Sequence, residues 1–308
     1  MTARIRIGTC SWTDPTLIRA GTFYPESAKS AEARLSYYAS QFDIVEVDSS
    51  YYAMPSRRNA TLWAERTPDD FIFNVKAFRL FTHHPTPLQS LPADIRGALP
   101  ASLAGKQRVY YRDVPEEMRQ HLWARFEDAL LPLDSTGKLG TVLFQFPPWF
   151  NPGIPQLDHL LSCKERLSTF RIAVEFRNNR WLSESHRDST LEFLRQHDLS
   201  FVCVDEPQGF ASSVPPIVAL TTDTGIVRFH GRKSETWEKK TASPTERFDY
   251  YYDREELSPW AARISECAMD ASEIHVLFNT NNGDQGVVNA KLMAQLLLQS
   301  GSEPPLSR

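Results

Sequence analysis

The chain has 308 residues, of which 41% are hydrophobic and 23% are charged. This is enough chain for one large globular domain, and it excludes the depleted composition of a disordered protein. The formal charge of −4 at pH 7 argues against a protein that coats nucleic acid through its net field, but it is compatible with a local basic cleft.

The sequence also bears on compartment. No stretch approaches the roughly 20 consecutive apolar residues that a membrane-spanning helix needs, and the first residues do not resemble a signal peptide. The four cysteines form no CxxC pair, which fits reduced thiols. We therefore expect a cytoplasmic protein without a membrane partner.

Short runs rich in Val, Ile and Phe alternate along the chain with longer segments of helical periodicity. This alternation is typical of repeated βα units and a parallel sheet. The predicted strands span residues 4–9, 43–49, 71–76, 139–146, 170–176, 199–205, 225–231 and 273–279. The predicted helices span residues 30–41, 57–66, 115–131, 154–167, 183–197, 255–268 and 286–298.

Eight strands with seven helices predict an α/β fold, the closed (β/α)8 barrel of TIM type. The helix between the sixth and seventh strands is predicted to be missing or shortened, because residues 206–224 are rich in proline. An open doubly wound sheet is the structural alternative. We expect residues 1–300 to form one domain with a long loop insertion at about 78–114 over the barrel mouth, followed by a disordered tail at 301–308.

Polar side chains stand at or just past the end of almost every predicted strand. Ligands of parallel barrels bind where strands end and the following loops begin, so these side chains form the candidate site. Residues two apart in a strand, such as Glu46 and Asp48, face the same side. The candidate catalytic residues are Glu46, Lys76, Glu175, Asp205 and His230. The candidate substrate-binding residues are Trp12, Asp48, Tyr51, Gln145, Arg177, Arg228, Arg232 and Asn279.

These residue types suit acid–base chemistry and anion binding. A shared charged cavity can bring the pKa values of Lys76, Glu175 and His230 toward neutrality. Planar guanidinium groups, such as those of Arg177, Arg228 and Arg232, hold phosphate or carboxylate groups in bidentate fashion. For each residue alone, however, a salt-bridge network that closes the barrel without chemistry is an equally good interpretation.

No cofactor is evident from motifs, because the GxGxxG, P-loop, GxSxG and HExxH patterns are all absent. A divalent cation such as Mg²⁺ or Mn²⁺ is an open alternative, with Glu46, Asp48, Glu175 and Asp205 as oxygen ligands. His83 and His84 are interpreted as solvated loop residues. Five aromatic residues past strand ends either stack on a sugar or base or cap the core. They are Trp12, Tyr51, Tyr52, Trp149 and Trp181.

Several stretches in one order carry a family resemblance over almost the whole chain. They include IGTCSW, FYPES, LFQFPPWF, AVEFRNNRWL, VRFHGR and VLFNTNNGDQGVVNA. In these the chain resembles the YecE-like family, also catalogued as domain of unknown function seventy-two. The resemblance implies a TIM-type barrel and no assigned activity. Cys10 stands where that family more often has Ser or Gly, and Asp48 stands where Asn is usual, which changes the local charge.

Three functions are compatible with these observations. The first is an enzyme of hydrolase, lyase or isomerase type that acts on an anionic small molecule, for example a phosphorylated one, at the barrel mouth. The second is a protein that binds nucleic acid or cleaves phosphodiesters, which arginines interleaved with aromatic rings would suit. The third is a metabolite-binding protein without catalysis. The sequence predicts no oligomeric state.

Overall fold

Ten β-strands are present in the described part of this computed structural model, which covers residues 3–103, 105–239 and 244–299. They are β1 (Arg4–Thr9), β2 (Ile44–Val47), β3 (Ile72–Lys76), β4 (Thr86–Pro87), β5 (Arg108–Val109), β6 (Leu139–Gln145), β7 (Ile172–Glu175), β8 (Leu199–Asp205), β9 (Thr224–Phe229) and β10 (Glu273–Phe278). Eight of them are parallel and close into a barrel in the order β1-β10-β9-β8-β7-β6-β3-β2. The predicted (β/α)8 barrel is confirmed.

All seven predicted helices are present, and three short helices accompany them in the described ranges. The helices are α1 (Pro15–Ala20), α2 (Ala31–Ala39), α3 (Ser49–Tyr52), α4 (Arg57–Glu65), α5 (Ala93–Gly97), α6 (Glu116–Ser135), α7 (Ile154–Arg166), α8 (Arg187–Gln196), α9 (Arg254–Cys267) and α10 (Gln285–Gln299). Polar caps begin several of them. Ser30 Oγ accepts from Ala33 N at 3.0 Å before α2, and Asp253 with Glu256 forms a capping box before α9.

Two helices differ from their predicted bounds by more than two residues. Helix α6 continues beyond residue 131 through Pro132, although proline removes one helical hydrogen bond. The carbonyl of Asp128, which loses its helical partner at Pro132, instead faces Arg57 Nη1 at 3.5 Å. Helix α8 begins at Arg187 because the preceding residues form a turn, in which Arg187 N donates to Ser183 O at 2.8 Å.

An extended segment takes the place of one barrel helix. Residues 206–223, all of them described, contain neither helix nor strand, as the prolines in this segment predicted. The segment runs along the outer face of β8, where Ala219 N lies 3.5 Å from Cys203 Sγ and Val214 is buried. This side of the barrel therefore has a thinner outer layer than the sides that carry helices.

The insertion at 78–114 is folded, although it was predicted as an irregular loop, and residue 104 lies outside its described part. It contains the two-stranded antiparallel sheet of β4 and β5 and the short helix α5. Its first part is anchored in the core, because Phe78 and Phe81 are fully buried and the Phe81 ring stacks on Trp123 of α6 at 3.7 Å. The predicted tail at 301–308 lies outside the described residues.

The strands direct alternate side chains into the barrel and toward the helices. Ile5 and Ile7 of β1 belong to the large core between strands and helices, whereas Cys10, past the end of β1, packs inside with Ile44 and Leu277. Gly8 is needed between β1 and β2, since a Cβ atom there would lie 2.0 Å from Ile44 O. Within the described ranges, no helix has both the length and the apolar character to cross a membrane.

Candidate functional site

A buried chain of alternating charges crosses the carboxyl-terminal end of the barrel interior. We call it the charge chain, and its members in order of contact are Glu46, Arg228, Glu175, Arg177 and Glu206. Arg228 donates through Nη2 to Glu46 Oε1 at 2.5 Å and through Nη1 to Glu175 Oε2. Arg177 donates through Nε to Glu175 Oε1 at 2.6 Å and through Nη1 to Glu206 Oε2. Every buried charge thus has an opposite partner, as burial of ions requires.

The carboxyl groups of the charge chain differ in proton affinity. Burial opposes ionisation of Glu175, but Arg228 and Arg177 outweigh it and hold the pKa of this carboxyl well below its usual range. At the two ends of the chain, burial dominates and raises the pKa of Glu46 to about 7 and that of Glu206 to about 7. The centre of the chain is therefore firmly ionised, and both ends titrate near neutral pH.

His230 lies beside the carboxylate of Glu175, the central member of the charge chain. Its Nε2 lies 3.2 Å from Glu175 Oε1 and 3.0 Å from Arg177 Nη2. Asn281 Nδ2 donates to Asn279 Oδ1 at 3.1 Å, which leaves the Asn279 amide nitrogen to donate to His230 Nδ1 at 3.0 Å. Arg177 Nη2 and Asn279 Nδ2 thus approach the two ring nitrogens of His230 from different sides. Burial lowers the pKa of His230 to about 3, so the ring is neutral at pH 7.

Both oxygens of Glu175 are occupied. Besides Arg177 and His230, Gln145 Nε2 approaches Oε1 at 2.6 Å, and Arg228 takes Oε2. A carboxylate with all of these partners is poorly placed to accept a proton from a ligand. The geometry favours Glu175 as the group that positions the two arginines.

A second ion pair lies beside the charge chain. Lys76 Nζ is 3.1 Å from Asp48 Oδ1 and 5.0 Å from the ring centre of Tyr51. Burial alone would lower the pKa of Lys76, but Asp48 raises it above its ordinary value. Lys76 is therefore cationic at pH 7, and its ammonium group remains at the mouth beside Tyr51.

Three side chains lie close enough together to share a cation: ligand atoms of Cys10, Glu46 and Asp48 are within 4.8 Å of one another. Arg228 already contacts two of them, because its Nη2 is 3.6 Å from Cys10 Sγ and 2.5 Å from Glu46 Oε1. Burial raises the pKa of Cys10 well above the usual thiol value, with Glu46 adding to the effect. The four carboxylates considered from the sequence do not come together as one ligand set, since Asp205 lies elsewhere.

Asp205 and Arg232 point away from the barrel interior, which corrects their expected place in the mouth. Asp205 Oδ1 accepts from Tyr252 OH at 2.7 Å and from Arg232 Nε at 2.9 Å, and its Oδ2 accepts from Trp260 Nε1 at 2.6 Å. The reason is strand parity: alternate residues of β8 face the helices, and Asp205 is one of them. The next residue, Glu206, faces the interior instead.

The two arginines expected to hold an anion together, Arg228 and Arg232, are separately engaged. Arg228 is fully buried between two carboxylates, and Arg232 pairs with Asp205 and Glu256 outside the interior. Arg79 presents a different environment. Its guanidinium lies 5.1 Å from the Tyr51 ring centre, and it forms no ion pair with any carboxylate in the part of the chain that the structure describes.

Cations converge around His84, which is half-buried and was expected to be a solvated loop residue. Burial lowers the pKa of His84 to about 3, and Lys76, Arg79 and Arg177 lower it further through their charges. Thr82 Oγ1 holds His84 Nδ1 at 2.9 Å. We call Lys76, Arg79, Arg177 and His84 the cation cluster. It is a positively charged corner of the mouth around a neutral ring.

The five aromatic residues past strand ends separate into two groups. Trp12 packs edge-on against Trp63 at 5.6 Å, and buried Trp181 stacks on Phe176 at 4.3 Å, so both cap the core. The others line one flank of the mouth. They are Tyr51, Tyr52 and Trp149, of which Tyr52 and Trp149 are 57% and 54% exposed.

Sequence reasoning selected thirteen residues and missed three that the site uses: Arg79, His84 and Glu206. The available signal for Glu206 was its spacing from Val204 and Val202, two and four positions earlier, which places the three side chains on one face of β8. Arg79 and His84 had no comparable signal, since their positions depend on the folded path of the insertion at 78–114.

Comparisons with known proteins agree with this architecture. The model of the family described as "Protein of unknown function DUF72" matches residues 6–308. The UPF0759 protein YunF of Bacillus subtilis is 32% identical over 297 residues, covering 95% of this chain and 94% of YunF. YecE of Escherichia coli is 24% identical over 249 residues, covering 75% and 76%.

Solved structures are similar as well. A DUF72 protein of Enterococcus faecalis superimposes with a TM-score of 0.76 at 25% identity, covering 96% of this chain and 95% of its own. One of Thermotoga maritima superimposes with a TM-score of 0.73 at 29% identity, covering 96% and 99%. The barrel and the relatives thus point to the same family.

Proposed function

The chain belongs to the DUF72 family, proteins of unknown function, and we propose that it is an enzyme that binds and transforms an anionic small molecule at the carboxyl-terminal mouth of its barrel. The observation that carries the proposal is the cation cluster. Lys76 Nζ and the Arg79 guanidinium lie 5.0 Å and 5.1 Å from the Tyr51 ring centre, which is 5.3 Å from that of His84. Arg79 forms no ion pair with a carboxylate among the described residues. A phosphate or carboxylate group supplies the missing negative charge.

The charge balance of the mouth supports an anionic ligand. The cations Lys76, Arg79, Arg177 and Arg228 face four carboxylates, namely Asp48, Glu175, Glu46 and Glu206. Burial raises the pKa of Glu46 and of Glu206 to about 7, so each is partly protonated at neutral pH. The raised pKa values of Glu46 and Glu206 reduce the negative charge that opposes the four cations, which favours an anionic ligand in the mouth.

Glu46 is the best-placed proton-transfer group. Its Oε1 accepts from Arg228, while its buried Oε2 has no hydrogen-bond partner. A carboxyl with a pKa of about 7 exchanges protons efficiently at neutral pH, as general acid–base catalysis requires. Lys76 nearby stabilises negative charge that develops on a bound substrate. This assignment suits hydrolase, lyase or isomerase chemistry and leaves Glu175 and His230 as positioning residues.

Binding of simple anions tests the proposal. Calorimetric titration with inorganic phosphate and ribose 5-phosphate is expected to show saturable binding that Arg79→Gln weakens about tenfold or more. Arg58→Gln removes an exposed arginine of α4 with the same charge change, and it should leave binding intact. Equal binding by wild type and Arg79→Gln would refute the cation cluster as the anion site.

Turnover distinguishes an enzyme from a metabolite-binding protein. Once a bound anion is found, its conversion by wild type and by Glu46→Gln is measured by chromatography of the reaction mixture. We expect Glu46→Gln to lower the rate at least a hundredfold while binding persists, in line with the loss of a general acid or base. Binding without turnover by the wild type would select the non-catalytic alternative.

A nucleic-acid ligand is the second candidate, favoured by one observation. Tyr52 and Trp149 expose their rings beside the cation cluster, and such pairing of rings and cations suits single-stranded nucleic acid. Fluorescence anisotropy with a short labelled oligonucleotide, repeated at rising salt, tests it. Strongly salt-dependent binding would support this candidate, and an absence of binding at low salt would exclude it.

A further inference from the structure

The indole of Trp149 is exposed, and the backbone that carries it is held in place by neighbouring side chains. It follows Pro147 and Pro148 in the turn after β6, where proline rings restrict the backbone. Asn178 Nδ2 donates to Pro148 O at 2.5 Å, and Asn151 Nδ2 donates to Trp149 O at 3.1 Å. An indole that is 54% exposed on so restrained a turn presents a flat apolar face at little entropic cost to a ligand.

Tyr52 is restrained in a similar way. It ends the short helix α3, in which Ser50 Oγ lies 2.7 Å from Val47 O and 2.6 Å from Lys76 O, so that its one hydroxyl proton is shared between two strand ends. The Tyr52 ring is 57% exposed and meets Tyr51 edge-to-face at 5.0 Å. The flank of the mouth is thus a preformed aromatic surface.

The aromatic flank and the cation cluster meet at His84. The His84 ring centre is 5.3 Å from that of Tyr51 and 5.9 Å from that of Trp149. Trp149 therefore contacts His84, whose pKa is lowered by the charges of Lys76, Arg79 and Arg177. A ligand of modest size can contact both features at once.

Resting on the proposed function, we propose that the anionic ligand also carries a planar aromatic ring, as a mononucleotide does, and that this ring stacks on Trp149. The anionic group of such a ligand lies in the cation cluster, and its ring covers the exposed indole. The prolines beside Trp149 offer few hydrogen-bonding groups, which favours a flat ring over a hydroxyl-rich sugar. Stacking on an aromatic side chain strengthens binding roughly tenfold or more.

Three probes separate the contributions of the anion, the sugar and the ring. Inorganic phosphate, ribose 5-phosphate and adenosine 5′-monophosphate are titrated into wild-type protein and into Trp149→Ala. We expect the mononucleotide to bind wild type about tenfold more tightly than ribose 5-phosphate does. Trp149→Ala should abolish that difference and leave ribose 5-phosphate binding unchanged.

Two variants control for effects on folding and for general loss of apolar surface. Trp149→Phe keeps a ring and should retain most of the preference for the mononucleotide. Ile154→Ala removes another exposed apolar side chain, 74% exposed at the start of α7, and should change nothing. Since both positions are exposed, thermal unfolding of all three variants is expected to match the wild type.

The outcomes distinguish this inference from the function on which it rests. Equal affinity of ribose 5-phosphate and the mononucleotide, each weakened by Arg79→Gln, overturns ring stacking and leaves the proposed function standing. Failure of all three probes to bind counts against both. An oligonucleotide that binds far more tightly than the mononucleotide overturns the small-molecule ligand and favours the nucleic-acid candidate.

Discussion

Removing the central charge of the charge chain should destabilise the whole barrel. In Glu175→Gln, an amide replaces a fully buried carboxylate that accepts from Arg228, Arg177 and Gln145. Its NH₂ group places a donor against donors, and both guanidinium groups lose a partner in the low-dielectric interior. Breaking a buried ion pair in this way costs about 3–5 kcal/mol.

The expected loss can be measured as thermal and chemical unfolding. For a chain of this size, each kcal/mol lowers the unfolding temperature by roughly 1.5 °C, so a decrease of about 5–8 °C is expected. Urea unfolding should report a lower midpoint with an unchanged slope, since the exposed surface is the same. Glu165→Gln, an exposed residue of α7, makes the same chemical change without a buried partner and should leave both values unaltered.

A second variant tests whether the loss of stability comes from the charge of Glu175 and not from a change in packing. Glu46→Gln is expected to cost less than Glu175→Gln, because the raised pKa of Glu46 means that this carboxyl is partly protonated in the folded protein at pH 7. If Glu175→Gln unfolds within 2 °C of the wild type, or if Glu46→Gln is the more damaging change, the account of the charge chain is wrong.

Three further predictions concern pH, Asp205 and metal. The pKa of Glu206 rises from 4.5 to about 7 on folding, so between these pH values the folded state binds a proton that the unfolded state does not. The contribution of Glu206 to stability therefore falls as pH rises from 4.5 to about 7. Glu206→Gln should flatten this part of the plot of unfolding temperature against pH. Asp205→Asn should lower stability by about 3 kcal/mol but leave phosphate affinity unchanged, because Asp205 faces α9; loss of affinity in titration would contradict this. Chelation by EDTA should leave phosphate binding and unfolding temperature unaltered, since Arg228 already contacts Cys10 and Glu46. If EDTA lowers either value and Mn²⁺ restores it, a cation is bound by Cys10, Glu46 and Asp48.

The barrel could be predicted because its signals are local. Runs such as residues 199–205 are mostly apolar, as strands covered on both faces must be. Proline density alone marked the missing helix before β9. The predicted ends of helices were wrong where contacts with other parts of the chain outweigh local sequence preferences. Helix α6 passes Pro132 because Arg57 compensates the carbonyl that the proline leaves free, and no property of the α6 sequence contains that information.

Most residues of the site could be selected from the sequence, but the contacts between them could not. Glu46 and Arg228 were both selected, but their contact joins residues 182 positions apart, and only the closed barrel brings them together. Asp205 and Glu206 are adjacent at the end of β8, and only one of them can point into the barrel because side chains alternate along a strand. Glu206 points inward and Asp205 points toward the helices. His84 was judged from its loop sequence, whereas its environment comes from Tyr51 of α3 and from Trp149 after β6.

The extended segment at 206–223 links the stability of the barrel wall to the chemistry of the mouth. Val214 N in this segment donates to Glu206 Oε1 at 2.7 Å, and Glu206 in turn holds Arg177. A wall section without helical hydrogen bonds opens at lower free energy than its neighbours, so its amides should exchange with solvent ahead of those in α7 or α9. Each opening releases Glu206 and loosens Arg177. Hydrogen exchange at residues 206–223 should therefore also report how firmly Arg177 is held at the barrel mouth.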